Sequence, residues 1–361
     1  MRQENGAYLD RIDHLRFFAA LMVFFRHFNG GYEYKGSIGS LNDIISFLFS
    51  IGVTGVSLFL FMSGFLFCII CNAGEKNINY FGFIRNRILR IFPLLIFTIF
   101  IIISINYKKS SPDDVIRLLT MQLNTGGLSW GIDKFNVWPI WTIAVEFQFY
   151  LIFPFIITAF KNGGIKYISS LMLVMLIVRG IIIQTQPEIS GDVIYNSLIG
   201  RLDQFLIGII FGKLYIDGRF SLLKNTYISV LSMLTSISLI LIYFYIRKPY
   251  IGYANAFGFI IEAFAWGFFV MSYLNSKFVI NRYINLALSR LGEISFSFYL
   301  LHFPIMAALI SALTQYIPYA YHGNEMIFTV LLGLPVVCIV SMLTFYTIES
   351  PFLGMRKKYS K

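Results

Sequence analysis

Long apolar runs separated by short polar segments recur along the whole chain, for example 91–105 with its flanks and 226–246. Each run is long enough for a helix to cross a hydrocarbon layer of roughly 30 Å. The pattern predicts an all-α, polytopic integral membrane helix bundle of about ten transmembrane helices. The expected spans lie near 12–30, 44–71, 88–106, 138–160, 167–186, 194–216, 226–246, 254–275, 294–316 and 326–348. The first ten residues are polar, and no short apolar core precedes a small-residue cleavage site, so no cleavable leader is expected. No internal repeat, low-complexity segment or linker breaks the pattern, and one integral membrane domain over 1–361 is the economical reading. The longest loop, about 107–137, carries SSPDD and TGGLSWG and is expected outside. Loops of that length are often functional or disordered.

Composition sharpens this picture. The chain is 57% hydrophobic and 13% charged, against about 25% charged in a soluble domain. A net charge of +11 is also what a nucleic-acid-binding chain carries, but its distribution argues otherwise. With the N-terminus in the cytoplasm, the outer loops hold only Lys35, Lys108, Lys109, Arg117, Lys134, Arg247 and Lys248. Arg26, Arg179 and Arg201 fall within spans, and the other Lys and Arg count as inner, including Arg16, Arg90 and Lys213 at the inner ends of their spans. This is a positive-inside asymmetry. An even number of spans returns the basic tail RKKYSK to the cytoplasm, so both termini are expected there. Cys68, Cys71 and Cys338 all lie in expected spans. Cysteine is commonly a buried apolar filler, and CIIC is read as packing rather than as a redox or metal pair.

The first span, RIDHLRFFAALMVFFRHF, is too charged for an ordinary membrane helix. At 3.6 residues per turn, Arg16, Ala20, Val23 and His27 form one stripe, with Asp13 close to it. Arg16 and His27 are three turns apart, a rise of roughly 16 Å. Ionisable groups within a span cost at least a few kcal/mol unless paired or facing water, so the stripe is expected to point into the bundle. For Arg16 alone a snorkelling side chain is an equal alternative, and for Arg26 near the outer boundary it is the preferred one.

Other spans carry polar groups at membrane depth. In WPIWTIAVEFQFYLIFP, Glu146 lies roughly 12 Å into the helix from Trp138, and Tyr150 shares its face. Trp138 and Trp141 fit interfacial aromatics as well as a site. In GEISFSFYLLHFPI, Ser295, Tyr299 and His302 make one polar stripe. In IGRLDQFLIG, Arg201 and Asp203 are two apart, so each needs a partner on another span. Two histidines, one buried glutamate and two arginines thus define a polar path. Their spacing matches no metal motif, and no metal is expected. At the inner mouth, FGFIRNRILRIFP places Arg85, Arg87 and Arg90 within six residues, with Arg87 and Arg90 on one face. They suit a positive-inside anchor, or a bidentate phosphate site that admits a pyrophosphate-bearing cofactor.

Taken in order, these segments resemble the acyltransferase 3 family of integral membrane acyltransferases, which includes bacterial O-antigen and peptidoglycan O-acetylases. The resemblance runs through DHLRFFAALMVFFRH, with Arg16 and His27 ten residues between, then GVSLFLFMSGFLF, RNRILRIFP with its RxxR feature, WTIAVEFQFYLIFP, GRLDQFLIG, SFSFYLLH and the closing IESPF. It implies acyl-CoA, usually acetyl-CoA, as cytoplasmic donor, a hydroxyl of an envelope carbohydrate as acceptor, and a multi-pass location in the bacterial plasma membrane. Many relatives carry an SGNH-type soluble domain after the membrane part. Only a short basic tail follows span ten here, which favours a lipid-linked saccharide or other glycan such as O-antigen.

On that resemblance the residues take roles. Arg87 and Arg90, assisted by Arg85, bind the donor phosphates, and Arg16 holds the donor or orders the inner path. An acceptor hydroxyl must lose its proton as it attacks, and histidine, with an unperturbed pKa of about 6.5, suits a general base; His27 takes that role. Glu146 orients His27 or steadies its imidazolium, or else binds the sugar. Trp141, Tyr150, Arg201, Tyr299 and His302 line the substrate path, and Tyr299 or His302 are also placed to donate to a thioester oxyanion. An acyl-histidine is the less favoured variant, and MSGF around Ser63 lacks the nucleophile-elbow pattern. The alternative reading is a proton-coupled transporter, since buried His, Glu and Arg also mark proton paths. The lack of inverted repeats and of paired broken spans weighs against it.

Overall fold

The computed structural model describes residues 10–30, 38–125, 140–246 and 252–359. Lys35, Lys134, Trp138, Arg247, Lys248 and residues 126–131 of TGGLSWG, all named above, lie outside the described residues. Among those described the chain is helical, with no strand. The principal helices are α1 (Asp10–His27), α2 (Leu41–Ile51), α3 (Gly55–Ile70), α4 (Tyr80–Ile105), α5 (Pro112–Leu119), α6 (Ile140–Thr185), α7 (Pro187–Asn196), α8 (Leu198–Ile216), α9 (Thr226–Ile246), α10 (Gly252–Asn275), α11 (Arg282–Glu293), α12 (Ser295–Tyr316) and α13 (Glu325–Gly354).

By length and hydropathy seven helical stretches can cross a membrane, or eight if the bent pair α7 and α8 is one span. The helix α1 is not among them. Its charges, the feature that set it apart in the sequence, remove it from a purely hydrophobic count. The helix α6 is counted once although the sequence predicts two spans there. If straight, its 46 residues would reach about 69 Å. Instead the backbone breaks at Gly164, where φ is 58° and ψ is −151°, a conformation open to glycine alone. Near one end Trp141 packs on Tyr195. Near the other Ile183 clusters with Ile194, and Tyr195 packs against that cluster. Both ends of α6 therefore meet α7, and the two halves run back along each other as a hairpin.

The expected outer loop 107–137 also holds a helix. Ser111 and Asp114 form a reciprocal capping box, and Pro112 follows at the first helical position, so three residues of SSPDD start α5.

Glycine notches set how closely the inner helices approach. A Cβ at Gly52 would lie 2.2 Å from Met22 O, and one at Gly55 would lie 2.5 Å from Ala19 O. The backbone of α1 thus rests on the start of α3. Gly292 serves the other end of α1, since a Cβ there would lie 2.3 Å from Asp13 O. Gly64 of α3 and Gly208 of α8 face each other. A Cβ at Gly64 would meet Phe205 O at 2.0 Å, and one at Gly208 would meet Phe61 O at 2.2 Å. Small residues allow this contact between membrane helices, where dispersion rather than hydrophobic exclusion drives association. The notches fix α1 with its polar stripe against α3: Ala20 and Val23 are buried, and Arg16 and His27 are half-buried.

Gly208→Ala should force α3 and α8 apart and lower stability by about 1–3 kcal/mol. Gly180→Ala, in the open on α6 with nothing within 4 Å of its Cβ position, should not. Thermal unfolding of the two variants in detergent measures the difference.

Candidate active site

A cavity of about 110 Å³ opens among α1, α3, α4, α6 and α12. Six of the residues singled out in the sequence line it: Arg16, Arg87, Arg90, Glu146, Tyr150 and Tyr299. The helical repeat explains the convergence. Thr142, Glu146 and Tyr150 lie at four-residue intervals on α6, Arg87 and Arg90 three apart on α4, and Ser295 and Tyr299 four apart on α12. Val56, Phe59, Leu60 and Phe67 of α3 form the apolar wall.

The arginines are held in different ways. Arg16 lies 3.8 Å from Asp13. Arg90 donates from Nη1 to Glu349 Oε2 at 3.0 Å, and Ser297 donates to the other oxygen of that carboxylate. Glu349 reaches Arg90 from a wide π-type turn, Phe345–Glu349, in α13. Such turns rotate a helix face locally and often occur at functional sites. Arg87 has no such partner. Its Cζ lies 5.0 Å from the Phe67 ring, 5.4 Å from Phe83 and 5.8 Å from Tyr150. Its Nε finds no hydrogen-bond acceptor among the described residues. Arg87 therefore keeps an uncommitted N–H among the described residues, while Arg90 presents a guanidinium already anchored by a carboxylate. Arg85 is exposed and does not line the cavity. It points off the face shared by Arg87 and Arg90, as two and five residues of helical offset require, which corrects its expected part in a cluster of three.

Glu146 is fixed from two sides. Ser63 Oγ donates to Glu146 Oε1 at 2.7 Å, and the Tyr150 hydroxyl donates to the same oxygen. The expected contact with His27 is not formed. His27 instead stands next to His302, ring centroids 5.7 Å apart, with Phe28 and Phe303 around it. His302 is fully buried. Its Nδ1 pairs with Tyr299 O at 2.7 Å, which assigns the proton to Nδ1. Nε2 is left as an acceptor with no partner among the described residues. The Tyr299 ring lies 5.8 Å from His302, and its hydroxyl meets Thr142 Oγ1 at 2.7 Å. Arg87, Arg90, Glu146, Thr142 and Tyr299 thus share one cavity lining, and the Tyr299 ring and backbone carbonyl connect that lining to His302, which stands beside His27.

Arg201 and Trp141 stand apart from the cavity. The Arg201 guanidinium lies 3.7 Å from the Phe259 ring, 4.3 Å from Tyr195 and 5.4 Å from Trp141. Its Nε donates to Tyr195 O at 2.9 Å. Asp203 takes the partner that the sequence required, Arg179 of α6, and the pair has no exposure. Sequence reasoning expected one buried glutamate, but three are placed inside. Besides Glu146 these are Glu349 and Glu262, the latter receiving the Ser57 hydroxyl, to which Gln204 in turn donates at 2.7 Å. The rule applied to Glu146, a carboxylate within an apolar run, finds both. Ser63, which lacks the sequence pattern of a nucleophile, holds Glu146.

The arrangement defines a class: a multi-helix protein of membrane-spanning character with an interior cavity lined by three arginines, a glutamate and two tyrosines. The comparisons agree. Residues 9–346 match the acyltransferase 3 family, described as an acyltransferase domain, and the chain belongs to that family. It is 25% identical over 378 residues to the O-acetyltransferase OatA of Staphylococcus aureus strain NCTC 8325, and equally to those of strains COL and MRSA252. Each alignment covers 97% of this chain and 58% of the relative, so the chain spans a little over half the length of the curated relatives it matches. No solved structure matches it.

Removing one member of the Arg90–Glu349 pair leaves a buried charge uncompensated. Glu349→Ala should cost roughly 3 kcal/mol of stability. The double replacement Arg90→Met with Glu349→Leu should cost clearly less. Unfolding midpoints of the two variants give the comparison.

Proposed function

We propose that the chain is a multi-pass membrane O-acyltransferase. It moves an acyl group, acetyl in the simplest case, from cytoplasmic acyl-CoA to a hydroxyl of a cell-envelope carbohydrate, free or lipid-linked. It acts in the bacterial plasma membrane, with the start of α1 and the segment after α13 on the cytoplasmic side. The observation that carries the reading is the convergence of three arginines, Glu146, Tyr150 and Tyr299 on one cavity, with His302 beside Tyr299 and His27 beside His302. Membership of an acyltransferase family supplies the reaction type.

In this reading Arg87 binds the donor phosphates through its uncommitted N–H groups, with the anchored Arg90 and Arg16 completing the positive field. The thin arm of the donor lies along the apolar wall of α3 and brings the thioester toward Tyr299. The acceptor hydroxyl attacks the thioester carbonyl. His27 takes the hydroxyl proton, the carbon–sulfur bond breaks, and the proton returns to the departing thiolate to give the free thiol. The second histidine, rather than Glu146, is the orienting neighbour of His27. His302 Nε2, an acceptor beside the His27 ring, accepts either from His27 or from the acceptor hydroxyl. Glu146, with Oε1 taken by Ser63 and Tyr150, has Oε2 left to accept an N–H or O–H of substrate, which makes it a binding group. Trp141 and Arg201, packed together outside the cavity, support the outer end of the path.

His27→Ala should abolish acyl transfer, by roughly 10²-fold or more, while acetyl-CoA still binds. Thiol release from acetyl-CoA by the purified protein, and mass spectrometry of surface glycans from cells with and without it, read the effect. Near-normal turnover in a correctly inserted variant would remove the general-base assignment. Glu146→Gln should weaken acceptor binding more than it slows turnover at saturating acceptor, and the reverse balance would return Glu146 to the service of a histidine.

A further inference from the structure

Beyond α13 the chain folds back onto α4. Asn86 holds it from both ends of its amide: Nδ2 donates to Lys357 O at 2.6 Å, and Oδ1 accepts from Lys357 N at 3.1 Å. The backbone N–H of Asn79 donates to Tyr359 O at 2.8 Å. These bonds deliver the Tyr359 side chain to the first turns of α4. Gly82 leaves room for it, since a Cβ there would lie 3.3 Å from Tyr359 Cβ. Tyr359 is only 7% exposed. Its ring meets Phe83 edge-on at 5.3 Å, and its centroid is 6.0 Å from Arg87 Cζ. Phe67, Phe83 and Tyr150 line the rest of the guanidinium's surroundings. Tyr359 is therefore the fourth ring around Arg87, and it comes from a strap that lies beyond the family match, which ends at residue 346.

Ring faces hold a guanidinium by its charge and leave its N–H donors uncommitted. A carboxylate in the same place would orient Arg87 but would take the fork that a phosphate needs. The ring box solves both requirements at once. We propose that residues 355–359 are a positioning element of the donor site, with Tyr359 closing the aromatic box that aims Arg87 into the cavity and so setting the affinity for a pyrophosphate-bearing acyl donor. This rests on the reading of Arg87 as a donor phosphate ligand.

The test is direct binding of radiolabelled acetyl-CoA to the full chain in nanodiscs, which needs no acceptor. Tyr359→Ala should raise Kd roughly three- to tenfold, and Tyr359→Phe, which keeps the ring, should restore it. Arg87→Ala should raise Kd at least as much. In the Arg87→Ala background, Tyr359→Ala should add nothing, because both changes remove the same contribution. Should Tyr359→Ala fold poorly, Asn86→Ala and a chain ended after Arg356 release the strap by other means and should show the same Kd. If Arg87→Ala weakens binding while the strap variants bind like the unaltered chain, or if the two losses simply add, the positioning role is overturned and the donor site stands. If Arg87→Ala itself binds normally, the donor-site reading falls, and the strap proposal with it.

Discussion

A guanidinium cannot give up its charge, and inside an apolar bundle each one must be compensated by protein. Five arginines meet this constraint in different ways. Arg179 is joined to Asp203 and to Ala256 O with no exposure at all, which ties α6 to α8 and α10. Arg90 takes Glu349 and ties α4 to α13. Arg201 is enclosed by rings and by the carbonyl of Tyr195. Arg16 has the longer contact with Asp13 on its own helix. Arg87 is held by ring faces at the cavity wall, and its Nε has no acceptor among the described residues. The same residue type thus does structural service where a carboxylate meets it and is available for a ligand where only aromatic faces do.

The second requirement is that these groups reach one place. The helix α1 brings Arg16 and His27 on one stripe because its backbone sits in the notches of Gly52, Gly55 and Gly292. A wider separation would turn the stripe toward a gap rather than toward α3 and α12. The Gly64–Gly208 contact holds α3 in place on its other side, so the apolar wall of the cavity is braced between two glycine interfaces. Polar chemistry on α1, α4, α6 and α12 depends on small residues that carry no chemistry.

Much of this was legible in the sequence because helical periodicity is local. The Arg16–His27 stripe, the shared face of Glu146 and Tyr150, and that of Arg87 and Arg90 all follow from 3.6 residues per turn, and all six residues but His27 line one cavity. What the sequence did not yield was partner choice, which is set by tertiary approach. Glu146 met Ser63 and Tyr150 instead of His27, and His27 met His302. Arg85 could not be separated from Arg87 and Arg90 by composition, although its offset on the helix already placed it elsewhere. Glu262 and Glu349 were open to the rule that found Glu146 and were passed over. The strap was read only as a basic tail, because its effect depends on a fold-back that no periodicity encodes.

The break at Gly164 has a consequence for how the protein is made. Its two helical halves are joined by the short polar turn KNGGIK, with Lys161 and Lys166 at its ends. A turn this short keeps the two halves of the 46-residue stretch side by side once both are in the bilayer. The paired lysines anchor its bend at the headgroups. Arg179, too costly to insert alone, can then wait within that hairpin until α8 arrives with Asp203. Arg179 precedes Asp203 in the chain, so its charge is compensated only when α8 has been made and packs on α6.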